Sequence, residues 1–177
     1  MRRPVGGKTG PAGEPADHAL GRSRGGWGTK LSLVTDGHGV PLAAMVHAGQ
    51  ASDLAAVPAL LNGIRIGGVA GAPRRYPERL AADKSYSRTP VRQWCRAHRV
   101  QAVLPRRADQ PHITRRLRGR FDAERYRQRN VIERTVGHLK EQRRIATRAE
   151  KLAQHYLAMV TIGMIRLILR RGFRNTA

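Results

Sequence analysis

A segment in the last third of the chain places a carboxylate between two cations and a phenol. The segment is YRQRNVIERTVGHLK (126–140), in which the polar positions follow the spacing Y-x2-R-x3-E-x6-K. On an α-helix that turns about 100° per residue, four side chains share a stripe roughly 60° wide, namely Tyr126, Arg129, Glu133 and Lys140. The carboxylate of such a stripe can hold a divalent ion and its cations can hold phosphate oxygens. The spacing alone nevertheless favours a solvated helix face, with an Arg129–Glu133 ion pair of about 0.2–0.5 kcal/mol.

A second acid stands where α/β folds place ligand sites. Asp83 closes a short predicted strand in LAADKSY (80–86). The carboxyl ends of sheet strands are where such folds bind ligands. Without further information, an aspartate in a turn or at a helix cap is the simpler interpretation of Asp83.

Composition and charge indicate a polyanionic partner. The 177 residues carry a net charge of +22, with a pI near 11.8. Nucleic acid is the simplest partner for such a charge, although the excess of arginine, alanine and glycine also fits codon bias in a GC-rich genome. The single cysteine, Cys95, excludes an intramolecular disulfide and fits a reducing cytoplasm. The longest apolar stretch, 157–169, is broken by Arg166 and is too short to span a bilayer, so we expect a soluble protein with no membrane partner.

The periodicity predicts an α/β fold around one mixed sheet, in one domain that begins at residue 21. Residues 1–20 are rich in glycine, proline and charge, which predicts a disordered leader, and the basic segment 106–120 predicts a mobile loop. Strands are predicted at 30–35, 40–47, 79–82 and 100–104, the first two joined by a hairpin turn at Asp36–Gly39. Helices are predicted at 53–61, where Asp53 suits the cap, and at 89–98, 123–145 and 150–171.

Five stretches, in order, resemble the DDE transposases of bacterial insertion sequences. The Y-x2-R-x3-E-x6-K pattern is similar to the signature around the catalytic glutamate of that family. The other similar blocks are GRSRGGWGTKLSLVTDGHGVPLAAMVHAGQASD (21–53), LAADKSY (80–86), VQAVLPRR (100–107) and RRIATRAEKLAQHYLAMV (143–160). The resemblance covers nearly all of the chain from residue 21 to the last helix.

The resemblance implies an RNase H-like fold, a mixed sheet flanked by helices, that performs DNA transposition. Asp83 matches the second acid of the catalytic triad and Glu133 matches the glutamate, so both would bind metal. Hard oxygen ligands fit two Mg²⁺ (or Mn²⁺) ions, which would promote end cleavage and strand transfer. Tyr126, Arg129 and Lys140 would support the glutamate and position DNA. The implied partners are transposon ends and target DNA, and the active form would be an oligomer.

Further basic residues are candidates for DNA contacts. Glycines around Ser23 would let cations approach phosphates closely, although an exposed basic loop explains the same residues equally well. Lys84 follows the second acid, and the arginines after Lys140 would extend a basic surface along the backbone of DNA. The DNA-binding candidates are Arg22, Arg24, Lys30, Lys84, Arg143, Arg144 and Arg148.

The first acid of the triad has no good match. In the family it lies on the central first strand of the sheet, upstream of the block at 21–53. Glu14 and Asp17 lie in the leader, Asp36 fits a hairpin turn, and Asp53 fits a helix cap. We therefore expect a chain that lacks the first aspartate and its strand, has an incomplete two-ion site and is inactive alone.

Several interpretations of such a chain remain open. It is either the downstream frame of a two-frame transposase, with an upstream-frame half as its partner, or a decayed remnant. A non-catalytic DNA-binding regulator is a second hypothesis, and a general nucleic-acid-binding basic protein is a more distant one. Each of them predicts a bacterial cytoplasmic protein associated with the nucleoid.

Overall fold

A computed structural model describes residues 18–23, 25–64, 76–105 and 121–174. The strands are, in chain order, β1 (Gly21–Ser23), β2 (Gly26–Thr35), β3 (Pro41–Ala48), β4 (Arg79–Ala81) and β5 (Gln101–Val103). The helices are α1 (Asp53–Asn62), α2 (Thr89–Ala97), α3 (Ala123–Arg127), α4 (Asn130–Lys140), α5 (Arg143–Thr147) and α6 (Ala153–Arg174), with a 3₁₀ turn at Lys84–Tyr86. The chain divides into two compact units, one made of residues up to Ala51 and from Arg134 onward, the other of Ser52–Glu133.

The first unit is built on an antiparallel sheet in the order β1-β2-β3. The long β2–β3 hairpin pairs Leu31 with Val46 and Leu33 with Ala44. Its turn is closed by Asp36, whose Oδ1 accepts hydrogen bonds from the amides of His38 (2.9 Å) and Val40 (2.8 Å). The predicted hairpin and the turn interpretation of Asp36 are therefore confirmed.

The core of the first unit lies between this hairpin and the C-terminal helices. One apolar face of α6 meets α4 and α5, and four side chains of the hairpin pack against this cluster, namely Leu31, Leu33, Ala44 and Val46. Leu139 at the end of α4 and Val160 in α6 are fully buried. The buried Thr135 Oγ1 donates a hydrogen bond of 2.9 Å to the carbonyl of Gly39, which ties α4 to the hairpin.

The single helix predicted at 123–145 is wrong, because the segment is divided into α3, α4 and α5. At the first break the amides of Arg129, Val131 and Ile132 bond to carbonyls three residues back, the tighter 3₁₀ spacing. At the second break Gln142 is extended, with φ −82° and ψ 107°. This change of direction accompanies the burial of Ile145, whose carbonyl accepts a hydrogen bond of 2.9 Å from the Tyr156 hydroxyl.

The second unit combines a parallel strand pair with α1, α2 and α3. β4 pairs with β5 in the register Arg79↔Gln101 to Ala81↔Val103. α2 contributes Val91, Trp94 and Cys95 to a buried core. The Trp94 ring stacks on His98 at 4.3 Å and its indole N–H donates to Asn62 Oδ1 at 3.3 Å, and Trp94 is only 8% exposed.

The α/β class is confirmed, but the described strands form two sheets rather than one. The predicted strand at 79–82, the helix at 89–98 and the strand at 100–104 are confirmed within one residue. At α1 the cap position is taken by Ser52, and Asp53 is the first helical residue rather than the cap. The leader up to residue 17 and the predicted loop at 106–120 lie outside the described residues. Within the described ranges, no helix combines the length and apolar character that a membrane span requires.

Two helical glycines offer a test of the packing of α6 on its neighbours. A Cβ atom on Gly163 would lie 2.7 Å from Ile145 Cδ1 and 2.8 Å from Gln142 Nε2, whereas on Gly137 it would meet no described atom within 4 Å. We expect Gly137→Ala to raise the free energy of unfolding by about 0.5–1 kcal/mol through helix propensity. The free energy of unfolding of Gly163→Ala should be about 1–3 kcal/mol lower than that of Gly137→Ala, because the added methyl group overpacks the contact with Ile145 and Gln142. Urea unfolding followed by circular dichroism measures both, and equal values would contradict the packing described here.

The buried thiol of Cys95 offers a second test, through pH. Burial raises its pKa from 9.0 to about 11, with the charge of Arg92 opposing the shift. Below pH 9.0 the thiol is protonated in both states; above it the unfolded chain ionises while the folded chain does not. The free energy of unfolding should therefore fall between pH 9.0 and about 11, and Cys95→Ala should remove that part of the slope. A thiol reagent near pH 8 should label Cys95 only after unfolding, and rapid labelling of the folded chain would contradict this burial.

Candidate active site

Asp83 lies two residues beyond the end of β4, at the carboxyl end of the parallel pair. Its backbone is extended, with φ −65° and ψ 163°, and its carbonyl accepts a hydrogen bond from the amide of Tyr86 at 2.9 Å. The Ser85 hydroxyl donates to Asp83 Oδ2 at 3.4 Å. The side chain is half-buried and lies at the strand edge where the sequence predicted a ligand site.

A buried arginine fixes the loop that follows Asp83. Arg92 in α2 is only 4% exposed. Its guanidinium donates to the Ser87 carbonyl (3.2 Å) and hydroxyl (2.9 Å) and to the Leu104 carbonyl (3.0 Å). Desolvation lowers the pKa of Arg92, while the nearby Cys95 opposes that shift. Arg92 thus joins the loop after Asp83 to the end of β5. It could not be identified from the sequence, since no spacing distinguishes it from the surface arginines.

Glu133 lies in the first turn of α4, and Arg129 holds it from the preceding turn. Arg129 Nη2 lies 2.9 Å from Glu133 Oε1, and the Arg129 guanidinium lies 5.3 Å from the centroid of the Tyr126 ring. The Glu133 side chain is 60% exposed. The break before α4 has therefore not separated these three residues, and the structure brings them together as the spacing predicted.

Lys140 is the last residue of α4 and is exposed. It follows Glu133 by seven positions, which corresponds to about 10.5 Å along the helix axis. Glu133 and Lys140 therefore face solvent two turns apart on one helix. This distance suits contacts along a nucleic-acid backbone better than a direct ion pair.

The described residues do not complete a metal site by themselves. Among them, no three His, Cys, Asp or Glu side chains form a group that could hold a metal ion. Asp83 and Glu133 have the oxygen ligands that Mg²⁺ prefers, but two carboxylates are fewer than a two-ion site uses. A complete site would need at least one further acid.

The basic residues predicted to contact DNA fall into two groups. Arg22, Lys84 and Arg143 are exposed, while Arg24 lies outside the described residues. The others are engaged within the protein: Lys30 Nζ donates to the Ala51 carbonyl at 2.9 Å, and Arg144 Nη2 lies 2.8 Å from Glu150 Oε1. DNA contact stays a prediction for every one of them.

Arg148 has the most extensive internal contacts of this set. It closes α5 with a left-handed φ of 47°. Its guanidinium donates to the carbonyls of Glu150 (3.1 Å) and Lys151 (2.9 Å) and also to that of His18, and it lies 5.3 Å from the Tyr156 ring centroid. These contacts give Arg148 a structural role.

Comparisons with known proteins show what this chain is similar to. Residues 7–168 match the family described as "Transposase DDE domain". The chain is 31% identical over 157 residues to a protein of Burkholderia cepacia named as a transposase for insertion sequence element IS402. This match covers 88% of the chain and 66% of the relative, so the chain spans less than two thirds of the relative's length. No solved structure matched the chain.

The contrast between Arg148 and Arg143 can be tested by substitution. Arg148→Gln leaves backbone carbonyls without their donor, so we expect the free energy of unfolding to fall by about 2–3 kcal/mol. Arg143→Gln, at an exposed position, should change stability by less than about 0.5 kcal/mol. Arg143→Gln should instead weaken binding to duplex DNA. The slope of log affinity against log salt concentration should decrease in magnitude by about one. Chemical unfolding measures the effect on stability, and fluorescence anisotropy at several salt concentrations measures the effect on DNA binding. Equal free energies of unfolding for Arg148→Gln and Arg143→Gln would contradict the structural role of Arg148.

Proposed function

This chain belongs to the transposase DDE domain family, and we propose that it forms the catalytic portion of an insertion-sequence transposase. In the complete enzyme it would cleave DNA at transposon ends and join the freed 3′-hydroxyl to target DNA by in-line phosphoryl transfer. The observation that carries this proposal is the position of Asp83, directly beyond a parallel strand. Family membership across residues 7–168 supports it, because both candidate acids lie within the matched region.

The first unit supports an RNase H-like sheet that is completed by another strand. Residues Leu31–Thr35 of β2 pair with β3 along one edge, and the described residues supply no strand for the other edge of that segment. An unpaired strand edge leaves backbone donors and acceptors without sheet partners. We propose that the strand bearing the first acid pairs there and lies outside the described residues.

Asp36 is a poor candidate for that first acid. Its Oδ1 already accepts two amide hydrogen bonds that close the hairpin turn. Using the carboxylate as a metal ligand would compete with both bonds and open the turn. The described part of the chain therefore supplies two acids of the proposed triad, Asp83 and Glu133.

The proposed roles follow from the contacts of each side chain. Asp83 and Glu133 would hold divalent ions, whose chemistry when bound is to activate the attacking oxygen and stabilise the leaving one. Arg129 orients the Glu133 carboxylate and keeps a positive charge beside it. Lys140 and the exposed Lys84 would bind phosphates, which fixes the register of the DNA without reading its sequence.

A non-catalytic DNA-binding regulator is the second candidate function. It is favoured by the absence, among the described residues, of three acidic or imidazole groups close enough to hold a metal. Such a protein would bind transposon ends and compete with an intact transposase. Selective binding to ends, with no cleavage under Mg²⁺ or Mn²⁺ even when the remaining segments of the transposase are supplied, would favour the regulator.

The catalytic proposal is tested by neutralising Glu133 in the complete transposase, expressed with the segment that supplies the first acid. Glu133→Gln keeps the side-chain size but removes the charge, so Mg²⁺-dependent cleavage of end DNA should fall by more than about 100-fold, or about 2.7 kcal/mol of barrier. Binding to end DNA should persist. The control is Glu124→Gln, at an exposed acid in the first turn of α3, which should cleave as the parent does. Undiminished cleavage by Glu133→Gln would exclude Glu133 as a catalytic acid.

A further inference from the structure

One side of α6, called here its outer face, has no role in the function proposed above. Among the described residues six large hydrophobic side chains are exposed, and four of them form this face, namely Ile162, Ile165, Ile168 and Leu169. Each of the four is between 42% and 55% exposed. A single exposed apolar residue is ordinary on a monomer, but four on two consecutive turns form a patch. Patches of this kind are typical of interaction sites.

The helix is therefore apolar on two roughly opposite sides. At about 100° per residue, the four outer side chains span an arc of about 120°. The other side of α6 carries the side chains that are buried in the core of the first unit, namely Tyr156, Val160, Met164 and Leu167. A helix at the surface usually has one apolar stripe, whereas a helix that is apolar all round is usually covered all round. The outer face thus has the character of a surface that another element covers.

The charge beside the outer face indicates the chemistry of that element. Arg166 and Arg170 are exposed and border one edge of the face, at about 100° and 140° from Ile165. Arg170 Nη1 lies 3.9 Å from Glu141 Oε2, beyond hydrogen-bond distance, and Glu141 Oε1 lies 2.8 Å from His138 Nδ1. The hydrogen bond with His138 lowers the pKa of Glu141, and the charges of Arg170 and Arg166 lower it further. Two guanidinium groups thus surround one carboxylate, and this edge keeps a positive charge.

The same charge argues against two other occupants. A second copy of the chain would bring together two proteins that each carry a net charge of +22, and a net charge so far from zero opposes self-association. The backbone of DNA would neutralise the arginines but would leave the four apolar side chains in water. A helix with an apolar stripe and an acidic edge satisfies both parts of the surface.

We propose that the outer face of α6 is a docking site for an amphipathic α-helix of a partner protein, with carboxylates along one edge of its apolar stripe. Ile162 and Leu169 are seven positions apart, so the face is about 10.5 Å long and suits two to three turns of a helix laid along it. Apolar side chains of that helix would pack against Ile165 and its neighbours, which is a common mode of peptide recognition. Its carboxylates would form charge-assisted hydrogen bonds with Arg166 and Arg170.

The test uses the full 177-residue chain and synthetic helical peptides as probes. Two peptides carry the same stripe of leucines, with glutamates along one edge in the first and lysines at the same positions in the second. Fluorescence anisotropy is measured at about 0.15 M salt, where attraction between exposed charges is screened beyond about 8 Å. We expect the acidic peptide to bind about 10-fold more tightly than the basic one. A third peptide, with the glutamates kept and the leucines replaced by glutamines, should not bind measurably.

Three variants distinguish the outer face from the charge of the whole chain. Ile165→Ser removes the central apolar contact and should weaken binding of the acidic peptide about 10-fold. Arg166→Glu should abolish or reverse the preference for the acidic peptide. The matched control is Arg96→Glu, which makes the same change of charge at an exposed arginine of α2 in the second unit and should leave the preference unchanged.

Several results would overturn the docking site. They are equal affinity for the acidic and basic peptides, and equal effects of Arg166→Glu and Arg96→Glu. A dimer in sedimentation experiments that Ile165→Ser abolishes would assign the outer face to a second copy instead. Binding to vesicles of anionic lipid that Ile165→Ser abolishes would assign it to a membrane surface. If circular dichroism shows that Ile165→Ser does not fold, the comparison of Arg166→Glu with Arg96→Glu decides the question.

Discussion

The structure of the first unit depends on the packing of one face of α6 against the β2–β3 hairpin. That face buries Tyr156, Val160, Met164 and Leu167, and the same cluster includes Leu139 of α4 and Ile145 of α5. Burying a large apolar side chain contributes about 1.5–3 kcal/mol, more than a surface ion pair usually does. The cluster therefore fixes the C-terminal half of α4, and Thr135 fixes its middle through the Gly39 carbonyl. Glu133 lies two residues before Thr135, so its helix is held by contacts in which its own side chain takes no part.

The parts of this fold that the sequence predicted are those with a local physical signal. The alternation on both sides of Asp36–Gly39 predicts the hairpin, because successive strand residues face opposite sides of a sheet. The breaks at Gln128–Arg129 and at Gln142 were not predicted, because neither has a local breaker such as proline or glycine. A strict period of 100° per residue nevertheless placed Tyr126, Arg129 and Glu133 together. The tighter spacing at the first break leaves the Tyr126–Arg129 and Arg129–Glu133 contacts in place.

The net charge overstates the surface that is available to a polyanion. Arg92 and Arg148 use their guanidinium groups to bind backbone carbonyls, and Lys30 does the same with its ammonium group. A cation that is bonded to the backbone in this way stabilises a loop or a helix end and is less available to a phosphate. Sequence alone cannot make this distinction, since it depends on which carbonyls lack a partner after folding. Among the residues proposed to contact DNA, Arg22, Lys84, Lys140 and Arg143 are exposed.

The two candidate acids are nearly independent of the forces that fold the chain. Asp83 has a weak contact with Ser85, and Glu133 has a surface ion pair with Arg129, of a type that contributes little to stability. Neither carboxylate belongs to the buried cores of the units. The chain could therefore keep its fold if either Asp83 or Glu133 were lost. The fold does not depend on the Glu133 carboxylate, so the effect of changing Glu133 would report on the proposed chemistry rather than on stability.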